Sequence, residues 1–203
     1  MNRLIIYGAS GHGKVTADIA KRNGYDDIIF YDDDLNKNEL DNYPVIHAFP
    51  EEEYDLIIGI GDNRTRQLIS ERCNKKLITL IHPSVVIGEN VTIAEGAVIM
   101  AGTVINPGSF IGKGVIVNTY ASVDHDNHIA DFCHISVDAH TAGGVSIGQR
   151  SFVGMGAHII NNINIGEDVM IGAGAVVVND IMEAGTYVGV PAKRINESSD
   201  TDK

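Results

Sequence analysis

Ile129-Ala130-Asp131-Phe132-Cys133-His134-Ile135-Ser136-Val137-Asp138-Ala139-His140-Thr141-Ala142-Gly143-Gly144-Val145-Ser146-Ile147 is the stretch that decides the fold. Read in sixes, it opens each unit on a branched residue and sets a small one four positions later. The register extends both ways, from Ile81 to Val177, and sixteen of the seventeen leading positions are Ile or Val, Thr141 being the exception. Fifth positions are mostly small, as at Ala97, Ser109, Ala121, Cys133, Ala139 and Ser151. Gly recurs at the second position, as at Gly88, Gly112, Gly148, Gly154, Gly166 and Gly172. A period of six makes no amphipathic helical stripe. It describes a solenoid in which every hexad is one short strand and turn. The branched residue points inward, the small one fills the corner, and the second-position Gly relieves the backbone of the turn. Asn127 departs from the small-residue rule and suggests a local bulge.

Upstream the pattern changes. Leu4–Tyr7 reads as a strand, followed by Gly8-Ala9-Ser10-Gly11-His12-Gly13 and a helical pattern from Val15 to Arg22. A second strand, Ile28–Tyr31, ends in Asp32-Asp33-Asp34. A third, Tyr54–Ile60, leads through Gly61-Asp62-Asn63 into a helix from Arg64 to about Asn74. Leu35–Tyr43 is polar and reads as a loop. Strands alternating with helices imply a small parallel, Rossmann-like sheet. The organisation expected is therefore an α/β domain over 1–80, an all-β parallel β-helix over 81–188, and a tail over 189–203, polar from about Asn196. Glycines after a first strand let backbone N–H groups approach a phosphate at a helix N-terminus, and a carboxylate after the second strand can bind a ribose or base. The spacing is GxxGxG, and eighty residues suit one nucleotide better than NAD.

The 203 residues carry 15 Lys+Arg against 27 Asp+Glu, a formal charge of −12. That balance argues against nucleic acid, whose affinity comes from cations neutralising phosphates, and against an anionic membrane surface. No apolar run reaches a membrane span and no signal-peptide pattern opens the chain, so a cytoplasmic protein is expected. Cys73 and Cys133 stand in no CxxC spacing, which points to two reduced thiols.

Histidine concentrates in the middle of the solenoid, at His125, His128, His134, His140 and His158. A His beside a carboxylate is a general-base arrangement, as in His125-Asp126. Acyl transfer also needs an N–H donor for the oxyanion. If three hexads close one coil, residues 18 apart stack, and Gly143 lies one coil from His125. Met155 and Ala173 then share a second column, on another face, suited to flanking an elongated thioester. His128, His134 and His140 fall on three different faces and cannot converge on a metal within one chain, so none is expected.

Taken together, Tyr7-Gly8-Ala9-Ser10-Gly11-His12-Gly13, Phe30-Tyr31-Asp32-Asp33, Ile60-Gly61-Asp62-Asn63, His125-Asp126, Phe132-Cys133-His134, Ala142-Gly143 and Gly189-Val190-Pro191-Ala192-Lys193-Arg194 carry a resemblance over residues 3 to 195. The chain resembles the PglD-type sugar acetyltransferases of the hexapeptide-repeat family, with the NeuD-type sialic acid O-acetyltransferases and the GDP-perosamine N-acetyltransferases beside them. The resemblance implies a left-handed, triangular β-helix. It also implies acetyl-CoA as donor, the 4-amino group of a UDP-linked 4-amino-4,6-dideoxy sugar of bacillosamine type as acceptor, and a homotrimer with active sites between neighbouring β-helices. By the same resemblance His125 is the base and Asp126 its partner, one methylene shorter than the Glu of PglD members. Gly143 N–H holds the thioester oxygen. His134, Met155 and Ala173 contact acetyl-CoA. Ser10, Gly11 and His12 bind the diphosphate region, and Asp32, Asp33 and Gly61 lie about the nucleotide. A sialic acid O-acetyltransferase or a GDP-perosamine-type N-acetyltransferase, and a non-catalytic nucleotide-sugar-binding solenoid, are the alternatives. Cys133, in a core-filling position, is a poor nucleophile candidate.

Overall fold

The computed structural model describes residues 3–73 and 75–195. It opens on β1 (Arg3–Tyr7), α1 (Gly11–Arg22), β2 (Asp27–Tyr31), β3 (Glu39–Leu40), β4 (Tyr43–Ile46), β5 (Asp55–Ile58) and α2 (Asn63–Cys73). The sheet order is β3-β4-β2-β1-β5, parallel except for the β3–β4 pair. Leu4, Ile5, Ile6 and Ile57 are fully buried, as expected of strands covered on both faces. The order reverses between β1 and β5, the crevice where open α/β sheets receive ligands. Two expectations are corrected. The Leu35–Tyr43 loop contains β3 and reaches β4, an edge pair too short and too polar to read from its pattern. α1 begins at Gly11, four residues before Val15, because Gly-His-Gly is a weak helix former by propensity. Its Gly13 is required by packing, since a Cβ there would run into the Gly8 carbonyl.

From Leu80 to Val177 the chain winds through three parallel sheets whose strands pair with those 18 residues away, as Ser122 with Val104 and His140, and His128 with Phe110 and Ser146. The first face carries Leu80–Ile81, Val98–Ile99, Ile116–Val117, His134–Ile135, Phe152–Val153 and Val169–Ile171. The second face includes Ser122–Val123 and His140–Thr141, and the third His128–Ile129 and Ser146–Ile147. Leading residues from Ile99 to Val177 are buried, as are the small fifth positions. Ile87 lies on the open first coil and is 42% exposed. The expected tail from 189 includes the strand Lys193–Ile195, antiparallel to Gly185–Val188 on the first face. Residues 196–203, expected to be a polar tail, lie outside the described residues.

The turns correct the role given to glycine. Left-handed φ falls at the fourth position, as at Gly108 (77°), Gly144 (71°), Asp126 (57°) and Asn162 (58°). The second-position glycines answer to stacking instead: a Cβ at Gly148 would lie 2.5 Å from the Gly166 carbonyl carbon in the next coil. Asn127 makes no bulge, because His128 and Ile129 keep the pairing register.

One buried cation joins the two parts. Arg66, 1% exposed, donates to the carbonyls of Gly114 (2.7 Å), Phe132 (2.8 Å), Cys133 (3.1 Å), Ile60 (3.1 Å) and Gly61 (3.0 Å), and to Asn63 Oδ1 (2.7 Å). Asn63 Nδ2 adds bonds to the carbonyls of Arg150 and Ser151. The α/β domain is thus fixed on the first face, at its corner with the third.

Candidate active site

His125 lies in the turn from the second face to the third, opposite the face that carries the α/β domain. Its Nδ1 is 2.8 Å from Asp126 Oδ2 and its N–H donates to Asp124 Oδ1 at 2.8 Å. The Asp126 hydrogen bond, with the Asp124 charge nearby, raises the imidazole above its ordinary pKa. A proton held on Nδ1 by Asp126 leaves the Nε2 lone pair free. Glycines flank the pair on neighbouring coils. A Cβ at Gly108 would lie 2.6 Å from Asp126 Oδ1, and one at Gly143 would meet the His125 ring edge, 2.5 Å from Cε1. The stacking of Gly143 on His125 is as the 18-residue arithmetic predicts. The Gly143 N–H donates to no group among the described residues.

At the sheet's switch point, α1 starts behind an extended Ser10 that makes no side-chain cap bond, so its first-turn N–H groups remain open. A Cβ at Gly11 or at Gly61 would meet nothing within 4 Å. Helix N-termini with such space take anions. The acidic pair divides. Asp32 braces the glycine loop, accepting from Ala9 N–H (2.8 Å), Asp34 N–H (3.0 Å) and Lys37 Nζ (2.9 Å), which occupy three of the roughly four acceptor positions of its carboxylate. Asp33 accepts from Tyr7 Oη (2.7 Å) and Arg72 (2.9 Å) yet stays largely exposed.

His134 projects from the first face against the Gly61 loop. Nδ1 donates to Gly61 O at 3.3 Å, Nε2 accepts from Asn118 Nδ2 at 3.0 Å, and the ring lies 6.1 Å from that of His12. Burial, with Arg66 nearby, lowers His134 to about 3 and His12 to about 4, so both are neutral at pH 7. A cleft of about 430 Å³ opens beside them, lined by Gly61, Asp62, Arg64, His134, Phe152 and Met170 among others. Met155, 58% exposed, and Ala173, also exposed, stand at the corner of the first and second faces. One chain therefore gathers Ser10, Gly11, His12, Gly61 and His134 at the first face, and His125, Asp126 and Gly143 at the far corner.

Residues 3–73 match the PglD N-terminal domain, and residues 144–179 match the bacterial transferase hexapeptide repeats. The acetyltransferase domain of PglB from Neisseria gonorrhoeae FA1090 is 39% identical, with a TM-score of 0.91 over 96% of this chain and 100% of that one. That domain has also been solved in complex with acetyl coenzyme A, and in that structure it is 40% identical with a TM-score of 0.90, over 96% of this chain and 100% of that one. PerB from Caulobacter crescentus, solved with CoA and GDP-perosamine, is 36% identical with a TM-score of 0.91, over 97% and 98%.

The chain belongs to the PglD-type sugar acetyltransferases. Its solenoid is the left-handed β-helix of the hexapeptide-repeat enzymes. Among the described residues no three His, Cys, Asp or Glu side chains converge as a metal site; His128, His134 and His140 do lie on three faces. Cys133 is fully buried, its Sγ donates to Gly148 O at 3.0 Å, and burial pushes its thiol up to about 12. Such a thiol supplies no thiolate for a covalent acyl step. Three residues that sequence reading did not place in the site emerge beside this acetyltransferase's groups: Arg66, Asn118 and Asn127. Arg66 reads as one more polar residue of an exposed helix, and its backbone acceptors have no signature in sequence. Only Asn127 left a signal, as an amide in a small-residue position.

Proposed function

We propose that this acetyltransferase, a cytoplasmic enzyme, transfers acetyl from acetyl-CoA to the 4-amino group of a UDP-linked 4-amino-4,6-dideoxy sugar of bacillosamine type. The observation that carries the reading is the His125–Asp126 pair, with Nε2 free above Gly143. An ammonium is not a nucleophile, so the amine reacts in its neutral form. Its nitrogen attacks the thioester carbonyl carbon while His125 Nε2 takes the N–H proton. Gly143 N–H donates to the oxygen that becomes negative. The intermediate collapses by C–S cleavage, and the thiolate leaves with the proton that His125 returns.

Ser10, Gly11 and His12 hold the diphosphate at the α1 N-terminus. Gly61 and Asp33 border the nucleotide, with Asp32 behind them as the brace of the loop. Met155 and Ala173 flank acetyl-CoA along one corner, where His134, both nitrogens engaged, offers only its ring edge. Because His125 and the nucleotide end occupy opposite sides of one prism, a neighbouring subunit completes each site, and a homotrimer closes all three. A GDP-linked 4-amino sugar is the second reading, favoured by the likeness to PerB solved with GDP-perosamine.

Release of CoA thiol from acetyl-CoA tests the assignment, with UDP- and GDP-linked 4-amino sugars, with sialic acid and with no acceptor, beside His125→Ala. Turnover on the UDP sugar, lost in the variant, is expected. Turnover on sialic acid alone would replace the acceptor with a hydroxyl, and silence with every acyl-CoA and acceptor would leave a binding solenoid. Mixing His125→Ala with Gly11→Asp chains, each inactive alone, restores partial activity if sites are shared between subunits.

A further inference from the structure

Polar side chains at fifth positions of the solenoid share one contact, a hydrogen bond to the carbonyl fifteen residues ahead. Thr103 donates to Asn118 O at 3.0 Å, Ser109 to Asp124 O at 2.7 Å and Ser151 to Gly166 O at 2.7 Å. Asn127, 2% exposed, keeps that bond, with Nδ2 donating to Ala142 O at 2.9 Å. It then adds two that the others lack, to Asp124 O at 2.8 Å and His125 O at 3.1 Å. The amide orientation follows from chemistry, because the flipped form would set Oδ1 against three carbonyl oxygens.

The Ala142 carbonyl and the Gly143 N–H belong to one trans peptide, across which C=O and N–H point opposite ways. That carbonyl accepts from inside the prism, as Asn118 O, Asp124 O and Gly166 O do, so the Gly143 N–H points out of it, and Asn127 pins this peptide one coil from the His125 ring. The bonds to Asp124 O and His125 O fix the peptides on both sides of the His125 Cα. Nothing in the solenoid's packing asks for this amide, since Ala121, Ala139 and Ala157 occupy the same hexad position fully buried.

We propose that Asn127 is a positioning residue that sets the catalytic base and the oxyanion donor relative to each other during acetyl transfer. The inference rests on the roles given above to His125 and Gly143.

The test uses the full chain with Asn127→Ala, Asn127→Ser, Ser151→Ala and His125→Ala. Asn127→Ala lowers kcat by about 10- to 100-fold, the scale of a misplaced reacting group, with KM for both substrates nearly unchanged. Asn127→Ser, able to keep the bond to Ala142 O as Ser109 and Ser151 keep theirs, recovers part of that loss. Ser151→Ala loses the equivalent bond at a different corner and keeps wild-type kcat. An NMR titration of His125 in Asn127→Ala moves its pKa down as the pairing with Asp126 loosens, a readout that general destabilisation does not mimic. Wild-type kcat in Asn127→Ala would overturn the proposal, as would a loss of kcat that Ser151→Ala reproduces. If His125→Ala remains active, the base assignment itself fails. If His125→Ala is inactive while Asn127→Ala is not, only the positioning role fails.

Discussion

Replacing Gly143 by Ala separates the two uses of that glycine, because alanine keeps the backbone N–H and adds only a methyl. Gly143 does not hold a left-handed φ, so the backbone accepts Ala without strain. The new Cβ would lie 2.5 Å from His125 Cε1 and 3.0 Å from Cδ2, where ordinary contact begins near 3.4 Å. Nε2 lies nearer still, so the ring must retreat by about 1 Å to restore ordinary contact. It has room to do so, since its side chain is 60% exposed. The fold should barely register the change, within about 0.5 kcal/mol, as for other exposed substitutions. Catalysis should register it strongly. A misplacement of about 1 Å can lower a rate by about 100-fold, or about 2.7 kcal/mol of barrier. The retreat also pulls Nδ1 from Asp126, so the His125 pKa falls. Initial rates of CoA thiol release give kcat and KM, calorimetric titration gives acetyl-CoA affinity, and a thermal melt reports stability. A variant with kcat within about threefold of wild type and an unmoved acid limb would refute the claim that the base is held above Gly143.

Four further outcomes follow from the same geometry. Because Asp126 raises His125, Asp126→Asn should shift the acid limb of kcat/KM to lower pH and reduce its plateau roughly tenfold, and an unmoved limb would remove Asp126 from the base. Arg66→Met leaves six acceptors without their donor, four of them buried, and should lower stability by on the order of 3 kcal/mol in urea unfolding. Hydrogen exchange should rise across residues 3–73, and a variant of unchanged stability would deny the clamp. His12 and His134 are held neutral, at about 4 and about 3, so below pH 6.5 the unfolded chain binds protons that the folded chain does not. Stability should therefore fall as pH drops from about 6.5 toward 4, by on the order of several kcal/mol, and His134→Gln should flatten the slope if it folds. Cys133→Ala should keep most of kcat, whereas loss of turnover with folding and acetyl-CoA binding intact would reopen a covalent route.

The solenoid was legible because its constraint is repeated. One inward branched residue and one small corner residue recur so often that register, stacking and the His125–Gly143 column all follow from counting by six and by eighteen. Glycine was harder, because two demands produce the same letter. At Gly144 it permits a left-handed φ, and at Gly148 it permits a close approach of coils, and only coordinates separate the two. In the α/β domain the strands announce themselves by Leu4–Tyr7 and Leu56–Ile58, while the four-residue strand Tyr43–Ile46, next to the edge and carrying Pro44, does not. The acidic pair after β2 was visible, but not that Asp32 is taken up by Ala9, Asp34 and Lys37. Arg66 and Asn127 act on backbone carbonyls, which every residue has, so their partners cannot be inferred from residue types.

The distribution of groups over the prism bears on how such a site arises at all. A parallel solenoid places residues 18 apart one strand spacing from each other, roughly 4.7–4.9 Å, so a column can bring a base and a donor N–H together without any loop. The same regularity fixes each column to one corner, and three corners of one prism never face a common point outside it. Charge and shape from different corners converge only where a second copy presents a different corner to the first. The α/β domain meets the solenoid on the first face and at its corner with the third, while His125 stands at the corner opposite the first face. A rigid prism with a firmly clamped domain cannot close this gap by bending. Arg66 and Asn63 therefore do more than stabilise a junction: under the function proposed above, by fixing where the α/β domain stands they set which corner of a neighbouring copy would supply the base.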